Sequence, residues 1–215
     1  MSNCLLCFRS VDEGLSIFDW FFEKDDICGN CRRKFEEIKR SFPLESLSIY
    51  AFYQYNDFLE STLYQFKEGR DIALAPIFFK QVHQVLNDKY RHHTLVLMPS
   101  YASKIKERGF NHLEEMLKDT AVPRCICLVK NKEYKQSLHR GKTRRDIRNV
   151  LELDKDIIIP KSPLLLIDDV VTSGETLRAA YELLSPYNES ISAFVLSVHP
   201  HFVELCDEYE LKHEE

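Results

Sequence analysis

The sequence predicts an α/β protein in which a mostly parallel sheet is flanked by helices and preceded by a small four-cysteine module. Three observations lead to this prediction. Short apolar runs typical of buried strands alternate with amphipathic segments of helical period. One of these runs, residues 164–167, ends in two adjacent acids and a turn rich in hydroxyl groups. Four of the seven cysteines form two Cys-x-x-Cys pairs near the N-terminus.

The first 42 residues are predicted to form a zinc module. Its metal ligands would be Cys4, Cys7, Cys28 and Cys31, because two Cys-x-x-Cys pairs have the spacing of a tetrahedral, closed zinc site. The alternatives are a chance arrangement or disulfides, and a reducing compartment disfavours the latter. We expect a charged helix over residues 32–40 to end before Pro43 and lead into the larger domain, residues 43–215.

The rest of the chain alternates between predicted strands and helices. Strands are expected over residues 47–55, 94–98, 124–129, 164–167 and 191–198, and helices over 56–69, 74–86, 111–117 and 175–184. In the first of these helices, apolar residues recur at helical spacing, and Gly69 suits its end. Such alternation predicts parallel strands joined by right-handed crossovers.

Composition and charge limit where the protein acts. The chain has 215 residues, a formal net charge of −5 and a pI near 5.9, so any affinity for nucleic acids or membranes must be local. No apolar run approaches the length of a membrane span, and the first residues lack the pattern of a signal peptide. We therefore expect a cytoplasmic protein without membrane insertion.

The acid pair Asp168 and Asp169 marks a candidate ligand site. It would lie at the carboxyl end of a buried strand, where open α/β sheets bind their ligands. An anion cradle of hydroxyls and backbone N–H groups would follow at a helix N-terminus, formed by Thr172, Ser173, Gly174 and Thr176. If Thr172 or Ser173 were only an N-cap, the acids would stay unexplained, because burying an unpaired acid is costly. An acid pair beside a phosphate cradle predicts a site for a ribose phosphate.

A second anion site is predicted after the strand that stops at Pro99. In the following loop, hydroxyl and cationic groups suited to a phosphate come from Ser100, Lys104 and Arg108. Gly109 would be a hinge into the next helix. The alternative interpretation is a solvated basic loop.

Residues 130–148 carry eight cations against two acids in an otherwise acidic protein. The candidate nucleic-acid contacts there are Lys135, Arg140, Lys142, Arg144, Arg145 and Arg148. Cations interleaved with planar side chains suit single-stranded nucleic acid. Two alternatives remain, namely a solvated helix face and a loop that closes over a pyrophosphate.

The buried strand, two acids, two further residues and Thr-Ser-Gly-x-Thr resemble the PRPP-binding signature of type I phosphoribosyltransferases. The resemblance implies a phosphoribosyltransferase-like sheet. It also implies that Asp168 and Asp169 contact the ribose 2′ and 3′ hydroxyls and that the following loop holds the 5′-phosphate. Magnesium would arrive bound to the pyrophosphate of PRPP.

Over nearly its whole length the chain resembles the ComF family, in particular ComFC-type competence proteins. The matching parts are the four-cysteine finger, Phe66-Lys67-x-Gly69, Arg108-Gly109-Phe110-Asn111, Gln136-x-Leu138 with Arg144-Arg145 and Asn149, and the PRPP loop. His112-Leu113 departs from the Gln-Ala usual after Arg-Gly-Phe-Asn. The resemblance implies a role in natural transformation, in which the protein handles incoming single-stranded DNA with a ComFA-type helicase-like ATPase as partner.

Two hypotheses follow. In the first, the protein is a non-catalytic or weakly catalytic module that grips single-stranded DNA through its phosphate sites and basic segment. In the second, it is a phosphoribosyltransferase that transfers ribose 5-phosphate from PRPP to a nucleobase, with the cations stabilising the leaving pyrophosphate. The absence of a recognisable hood for a base favours the binding module.

Overall fold

A computed structural model describes residues 2–13, 25–130 and 151–213. Within these ranges the strands are β1 (Glu37–Leu44), β2 (Leu47–Gln54), β3 (Thr94–Leu97), β4 (Arg124–Cys125), β5 (Leu128–Lys130), β6 (Leu151–Leu153), β7 (Leu164–Val171) and β8 (Ile191–Val198). The helices are α1 (Gly29–Arg32), α2 (Asp57–Lys67), α3 (Ala75–Phe79), α4 (Val82–Lys89), α5 (Ala102–Arg108), α6 (His112–Met116), α7 (Glu175–Leu184) and α8 (Pro200–His213). Among the described helices, none combines the length and the apolar character needed to cross a membrane.

The main sheet has six strands in the order β1-β2-β8-β7-β3-β4. Every neighbouring pair is parallel except β1 and β2. The central strand β7 pairs with β8 on one side and β3 on the other, and its first four residues are fully buried. Such continuous burial explains its unbroken apolar run, because helices cover both faces of a parallel sheet. The predicted α/β class is confirmed.

The helix predicted over residues 32–40 is wrong. Helix α1 ends at Arg32, and β1 begins at Glu37 and pairs antiparallel with β2, with Phe42 opposite Ile49. The ladder with β2 outweighs the weak helix preference of the charged residues, and an edge strand tolerates Pro43. Strand β1 includes residue 42, the expected end of the zinc module. Residues 37–42 are therefore part of the main sheet.

Three further segments differ from expectation. The helix predicted over residues 74–86 divides into a 3-10 turn (Ile72–Leu74), α3 and α4. The strand predicted over residues 124–129 leaves the main sheet after Cys125 and continues as β5, which pairs with β6 in a separate antiparallel ribbon. The segment after Pro99, expected to be a loop, contains helix α5, which ends at Gly109 with a left-handed φ of 92°. The remaining predicted strands and helices are present with small differences in their ends.

The cysteine module packs on the main domain through a shared core. The ring of Phe35 lies 5.4 Å from those of Tyr53 and Phe58, at the centre of an aromatic cluster. Arg32 donates two hydrogen bonds to Asp25, at 2.6 and 2.8 Å, and a third to the carbonyl of Ile77 in α3, at 2.8 Å. Because this guanidinium is largely buried, the bidentate pair holds the module in one orientation.

Candidate functional site

The acid pair lies inside β7, at the carboxyl end of the parallel sheet. The strand continues through both acids to Val171, further than the sequence predicted. Asp169 is buried and Asp168 is half-buried. The Oδ1 atom of Asp168 accepts a hydrogen bond from the backbone N–H of Asp169 at 2.9 Å. The chain thus exposes one acid more than the other at the sheet edge.

Lys67, the last residue of α2, donates a hydrogen bond to Oδ2 of Asp169. On the other oxygen of the same carboxylate, Nε2 of His112 lies 3.5 Å from Oδ1. The opposite ring nitrogen, Nδ1, lies 3.2 Å from the hydroxyl of Ser100. Burial, aided by the charges of Lys67, Arg108 and Lys130, holds the pKa of His112 well below its usual range. His112 is therefore a neutral imidazole that joins Ser100 to Asp169.

The titration of these groups depends on how they are buried. Burial raises the pKa of Asp168 to about 6, against the opposing charges of Lys67 and Lys130. Burial also lowers the pKa of Lys67 to about 8, against the opposing charge of Asp168. The pKa of Lys130 is lowered by burial as well. Near pH 7, Asp168 is thus ionised and Lys67 is protonated.

Arg108 stands next to this cluster with an unsatisfied donor. Its Nε donates to the carbonyl of Lys67 at 3.1 Å, and its Nη2 lies 3.5 Å from Glu68. The third nitrogen, Nη1, is buried and has no hydrogen-bond partner among the described residues. A buried N–H donor without a partner is costly, and an anionic ligand would satisfy it.

Lys104, predicted beside Arg108 in the second anion site, makes its contacts at the surface. Its Nζ lies 3.1 Å from Glu68 and 3.4 Å from Glu107, and the side chain is half exposed. The physical reason is that residues 102–108 form helix α5 rather than a loop, so Lys104 and Arg108 both face Glu68 from positions one helical turn apart.

The predicted phosphate loop joins β7 to α7. A pocket there is lined by Asp168, Val170, Val171, Thr172, Ser173, Gly174, Thr176 and Leu177. Gly174 is the N-cap of α7, with φ at 74°, and no side chain caps the helix. The alternative that Thr172 or Ser173 is a simple N-cap is therefore wrong. The first N–H groups of α7 stay available for an anion, and the helix dipole favours one there.

The four cysteines of the N-terminal module form a cluster. Their sulfur atoms all lie within 4.8 Å of one another, and Cys7 Sγ lies 3.7 Å from Cys28 Sγ. In a tetrahedral site with Zn–S distances of about 2.3 Å, the sulfurs would be about 3.8 Å apart. Cys4 is fully buried; its burial raises its pKa, but nearby backbone hydrogen bonds outweigh this and lower it to about 7. The donor set fits a closed, structural metal site.

The predicted nucleic-acid contacts lie outside the described residues. These are Lys135, Arg140, Lys142, Arg144, Arg145 and Arg148. Of the basic segment, the structure describes Lys130, whose ammonium lies 5.2 Å from the centre of the Tyr101 ring. The end of this segment nearest the sheet therefore reaches the residues that follow β3.

Lys67, His112 and Lys130 belong to the ligand site in the structure, although the sequence does not predict them there. Lys67 lies within Phe66-Lys67-x-Gly69, and Lys130 begins the basic segment. His112 is the residue that departs from the pattern after Arg-Gly-Phe-Asn. Each of the three has a local sequence signal, but none of these signals indicates which side chain the residue contacts.

Comparisons with known proteins return solved structures of similar fold. The chain is 16% identical to adenine phosphoribosyltransferase from Saccharomyces cerevisiae, complexed with adenine and an imino-altritol bisphosphate, over 81% of this chain and 91% of that one, with a TM-score of 0.39. It is 16% identical to APRTase from Giardia lamblia complexed with 9-deazaadenine, over 79% of this chain and 96% of that one, with a TM-score of 0.38. It is 15% identical to a glutamine mutant from an analysis of an invariant aspartic acid in HPRTs, over 61% of this chain and 78% of that one, with a TM-score of 0.34.

No protein-family model and no curated protein sequence matches the chain. At these identities, and with TM-scores below 0.5, the structural likenesses carry no argument about activity or substrate. The sheet topology and the cysteine cluster of the chain itself agree with the predicted α/β class, a mostly parallel sheet flanked by helices with a small four-cysteine module.

Proposed function

We propose that this is a ComFC-like protein of natural transformation, which binds a ribose phosphate such as PRPP and handles incoming single-stranded DNA in the cytoplasm. One observation carries the ribose phosphate part of the proposal. The acid pair lies beside the uncapped N-terminus of α7, so acceptors for sugar hydroxyls and donors for a phosphate stand at one sheet edge.

In the proposed complex each group has one role. Asp168, which lines the pocket, accepts hydrogen bonds from the ribose hydroxyls, and Asp169 holds Lys67 in place beside it. The backbone N–H groups and hydroxyls of residues 172–176 hold the 5′-phosphate. Arg108, with its unpaired buried nitrogen, and Lys130 take a further phosphate group, such as the pyrophosphate of PRPP. Ser100 acts through His112, which orients Asp169.

The DNA part of the proposal depends on the basic segment. Its cations would neutralise backbone phosphates, and its planar side chains would stack on exposed bases. The pocket would then hold a nucleotide unit or a regulatory ribose phosphate close to the strand. A ComFA-type ATPase is the expected partner, and the four cysteines would hold a structural zinc ion.

The second candidate function is an active phosphoribosyltransferase. The observation that favours it is the group of cations beside the acid pair, Lys67, Arg108 and Lys130. Cations so placed would stabilise the negative charge that develops on a leaving pyrophosphate. A nucleobase would be the acceptor for ribose 5-phosphate.

The test is the fluorescence anisotropy of a labelled single-stranded oligonucleotide, titrated with the protein at several salt concentrations, with and without PRPP. We expect the affinity for the oligonucleotide to fall as the salt concentration rises and to change when PRPP is added. Arg144→Glu with Arg145→Glu should weaken binding by about tenfold or more at low salt and make its dependence on salt shallower, because each phosphate contact contributes to both the affinity and the salt slope. Asp168→Asn with Asp169→Asn should abolish the PRPP effect and PRPP binding by calorimetry.

A matched control distinguishes an effect of the basic segment from an effect of the protein's net charge. Lys89→Glu with Arg91→Glu makes the same change in charge at the amino end of the sheet, on exposed side chains. An equal loss in both double variants would contradict a DNA site in the basic segment. A further outcome is that the wild-type protein binds no oligonucleotide at low salt but releases pyrophosphate from PRPP when a nucleobase is added. That result would support the phosphoribosyltransferase and contradict the DNA role.

A further inference from the structure

The chain supplies its own counter-ions to the acid pair. We infer that the ribose phosphate site works without a divalent metal ion, because Lys67 already neutralises the carboxylate that a metal would need. This inference rests on the proposed ribose phosphate function and differs from the expectation that magnesium enters with PRPP. It follows from the contacts of the two acids and from the charges around them.

The carboxylate oxygens of the acid pair are largely engaged. Oδ2 of Asp169 accepts from Lys67, and Oδ1 faces Nε2 of His112 at 3.5 Å. Oδ1 of Asp168 accepts a backbone N–H at 2.9 Å. Magnesium demands near-octahedral oxygen ligands at about 2.0–2.1 Å and is usually held by one or two carboxylates. A metal on Asp169 would therefore first have to displace the ammonium group of Lys67.

The local charge also disfavours a dication. Three acids, Asp168, Asp169 and Glu68, lie among three cations, Lys67, Arg108 and Lys130, and the adjacent His112 is neutral. Among the described residues, the acids are thus already balanced by the chain's own cations before any ligand binds. Adding two positive charges among partly buried cations is unfavourable, whereas adding a phosphate is favourable.

The unpaired buried nitrogen of Arg108 indicates which kind of ligand the cluster takes. A metal ion cannot satisfy an N–H donor, but a phosphate oxygen can. The half-buried Asp168 is the acid left to accept a ribose hydroxyl. The site therefore suits a phosphorylated sugar whose negative charge is neutralised by the chain's own side chains.

The experiment is calorimetric titration of PRPP, and separately of ribose 5-phosphate, into the protein in magnesium-free buffer and again with magnesium. Magnesium is omitted rather than chelated, so that metal held by the cysteine cluster stays in place. We expect the wild-type Kd for PRPP to differ by less than about threefold between the two buffers, because the cationic side chains neutralise the phosphate charge that a metal would otherwise neutralise. PRPP binding that requires magnesium would overturn the inference and leave the pocket intact. Absence of binding in both buffers would overturn the proposed function itself.

Lys67→Met tests the counter-ion directly, because it keeps most of the side chain and removes the charge. We expect the Kd for PRPP without magnesium to rise by about tenfold or more, and magnesium to restore part of the affinity, since Asp169 becomes free to hold it. Lys89→Met, at the opposite end of the sheet, should change neither value. Unchanged metal-free affinity in a folded Lys67→Met protein would overturn the inference.

Lys130→Met serves if Lys67→Met does not fold. Lys130 interacts electrostatically with Asp168, whereas Asp169 is paired with Lys67, so the loss of Lys130 leaves that buried carboxylate satisfied. We expect a rise in the metal-free Kd of about threefold or more. An unchanged metal-free Kd in this variant would equally count against neutralisation by the chain's own cations.

Discussion

At the scale of single residues, the site is governed by the contrast between the two acids. Asp169 is buried and paired with Lys67, whereas Asp168 is half-buried and raised in pKa to about 6. The buried acid is suited to a fixed structural role, and the more exposed one to ligand contact. The two adjacent acids of the sequence therefore acquire different tasks from their surroundings.

These pKa shifts have definite signs. The folded-state pKa of Asp168 is raised, so its ionisation disfavours the folded state above about pH 6, and this cost shrinks as the pH falls through that value. The pKa of Lys67 is lowered, so its charge disfavours the folded state below about pH 8, and this cost shrinks as the pH rises through that value. Between these two values both groups are charged.

We predict that the affinity for PRPP is nearly constant between the pKa values of Asp168 and Lys67, about 6 and about 8, and falls as the pH rises further. Above that limit Lys67 loses the proton that neutralises Asp169, and the anionic ligand meets a less positive site. Calorimetry from pH 6 to pH 9.5 would measure this, with an expected loss of about fivefold or more over the alkaline limb. Lys67→Met should remove the limb. If the variant keeps the same alkaline limb as the wild type, another group is responsible.

At the scale of elements, the turn between β7 and α7 is held by packing from distant strands and helices. A Cβ added to Gly174 would lie 2.7 Å from a methyl carbon of Leu44 and 3.0 Å from the ring of Phe202. The glycine thus allows β1 and α8 to press on the turn from behind. Its left-handed φ of 74° directs the first N–H groups of α7 toward the pocket.

We predict that Gly174→Ala shifts this turn and weakens PRPP binding by about tenfold or more, because it adds a clash to the φ strain of about 1–2 kcal/mol. The matched control is Gly109→Ala. Gly109 has a φ of 92°, but an added Cβ there would meet no atom of the described residues within 4 Å. Stability from urea unfolding and affinity from calorimetry should therefore fall further in Gly174→Ala. Equal effects in the two variants would show that the packing of Leu44 and Phe202 is unimportant.

At the scale of the whole molecule, the cysteine module and the sheet are joined as one folding unit. The Phe35 cluster and the Arg32 hydrogen bonds connect the module to β2, α2 and α3. The buried residues of the module and those of the sheet belong to one continuous core. Damage to the metal site is therefore expected to destabilise the main domain as well.

We predict that Cys28→Ser releases the metal and lowers the melting temperature by about 10 °C, in a single transition rather than two. Zinc per chain, measured by mass spectrometry, should fall from about one to near zero, because a structural site needs all four thiolates. Cys206→Ala, a buried cysteine outside the cluster, should keep the zinc. A Cys28→Ser protein with full metal content would disprove the four-thiolate site.

Features set by neighbouring residues could be predicted from the sequence alone. The β7 run, its acid pair, the hydroxyl-rich turn and the start of α7 follow one another directly along the chain, and so do the partners within each Cys-x-x-Cys pair. Burial of β7 in a parallel sheet follows from its unbroken apolar run. The α/β class, the place of the acids near the end of β7 and the four-cysteine cluster therefore follow from local sequence without any tertiary contact.

Contacts between distant residues were decided only by the tertiary structure. Lys67 meets Asp169 across 102 positions, and nothing local to α2 indicates which strand its last lysine will face. Residues 37–44 form a strand because β2 supplies a ladder that their own helix preference cannot match. Lys104 turns to Glu68 because α5 forms where a loop was expected. The physical reason is the same in each case: charge and propensity belong to a residue, but the partner that decides between competing conformations is brought to it by the fold.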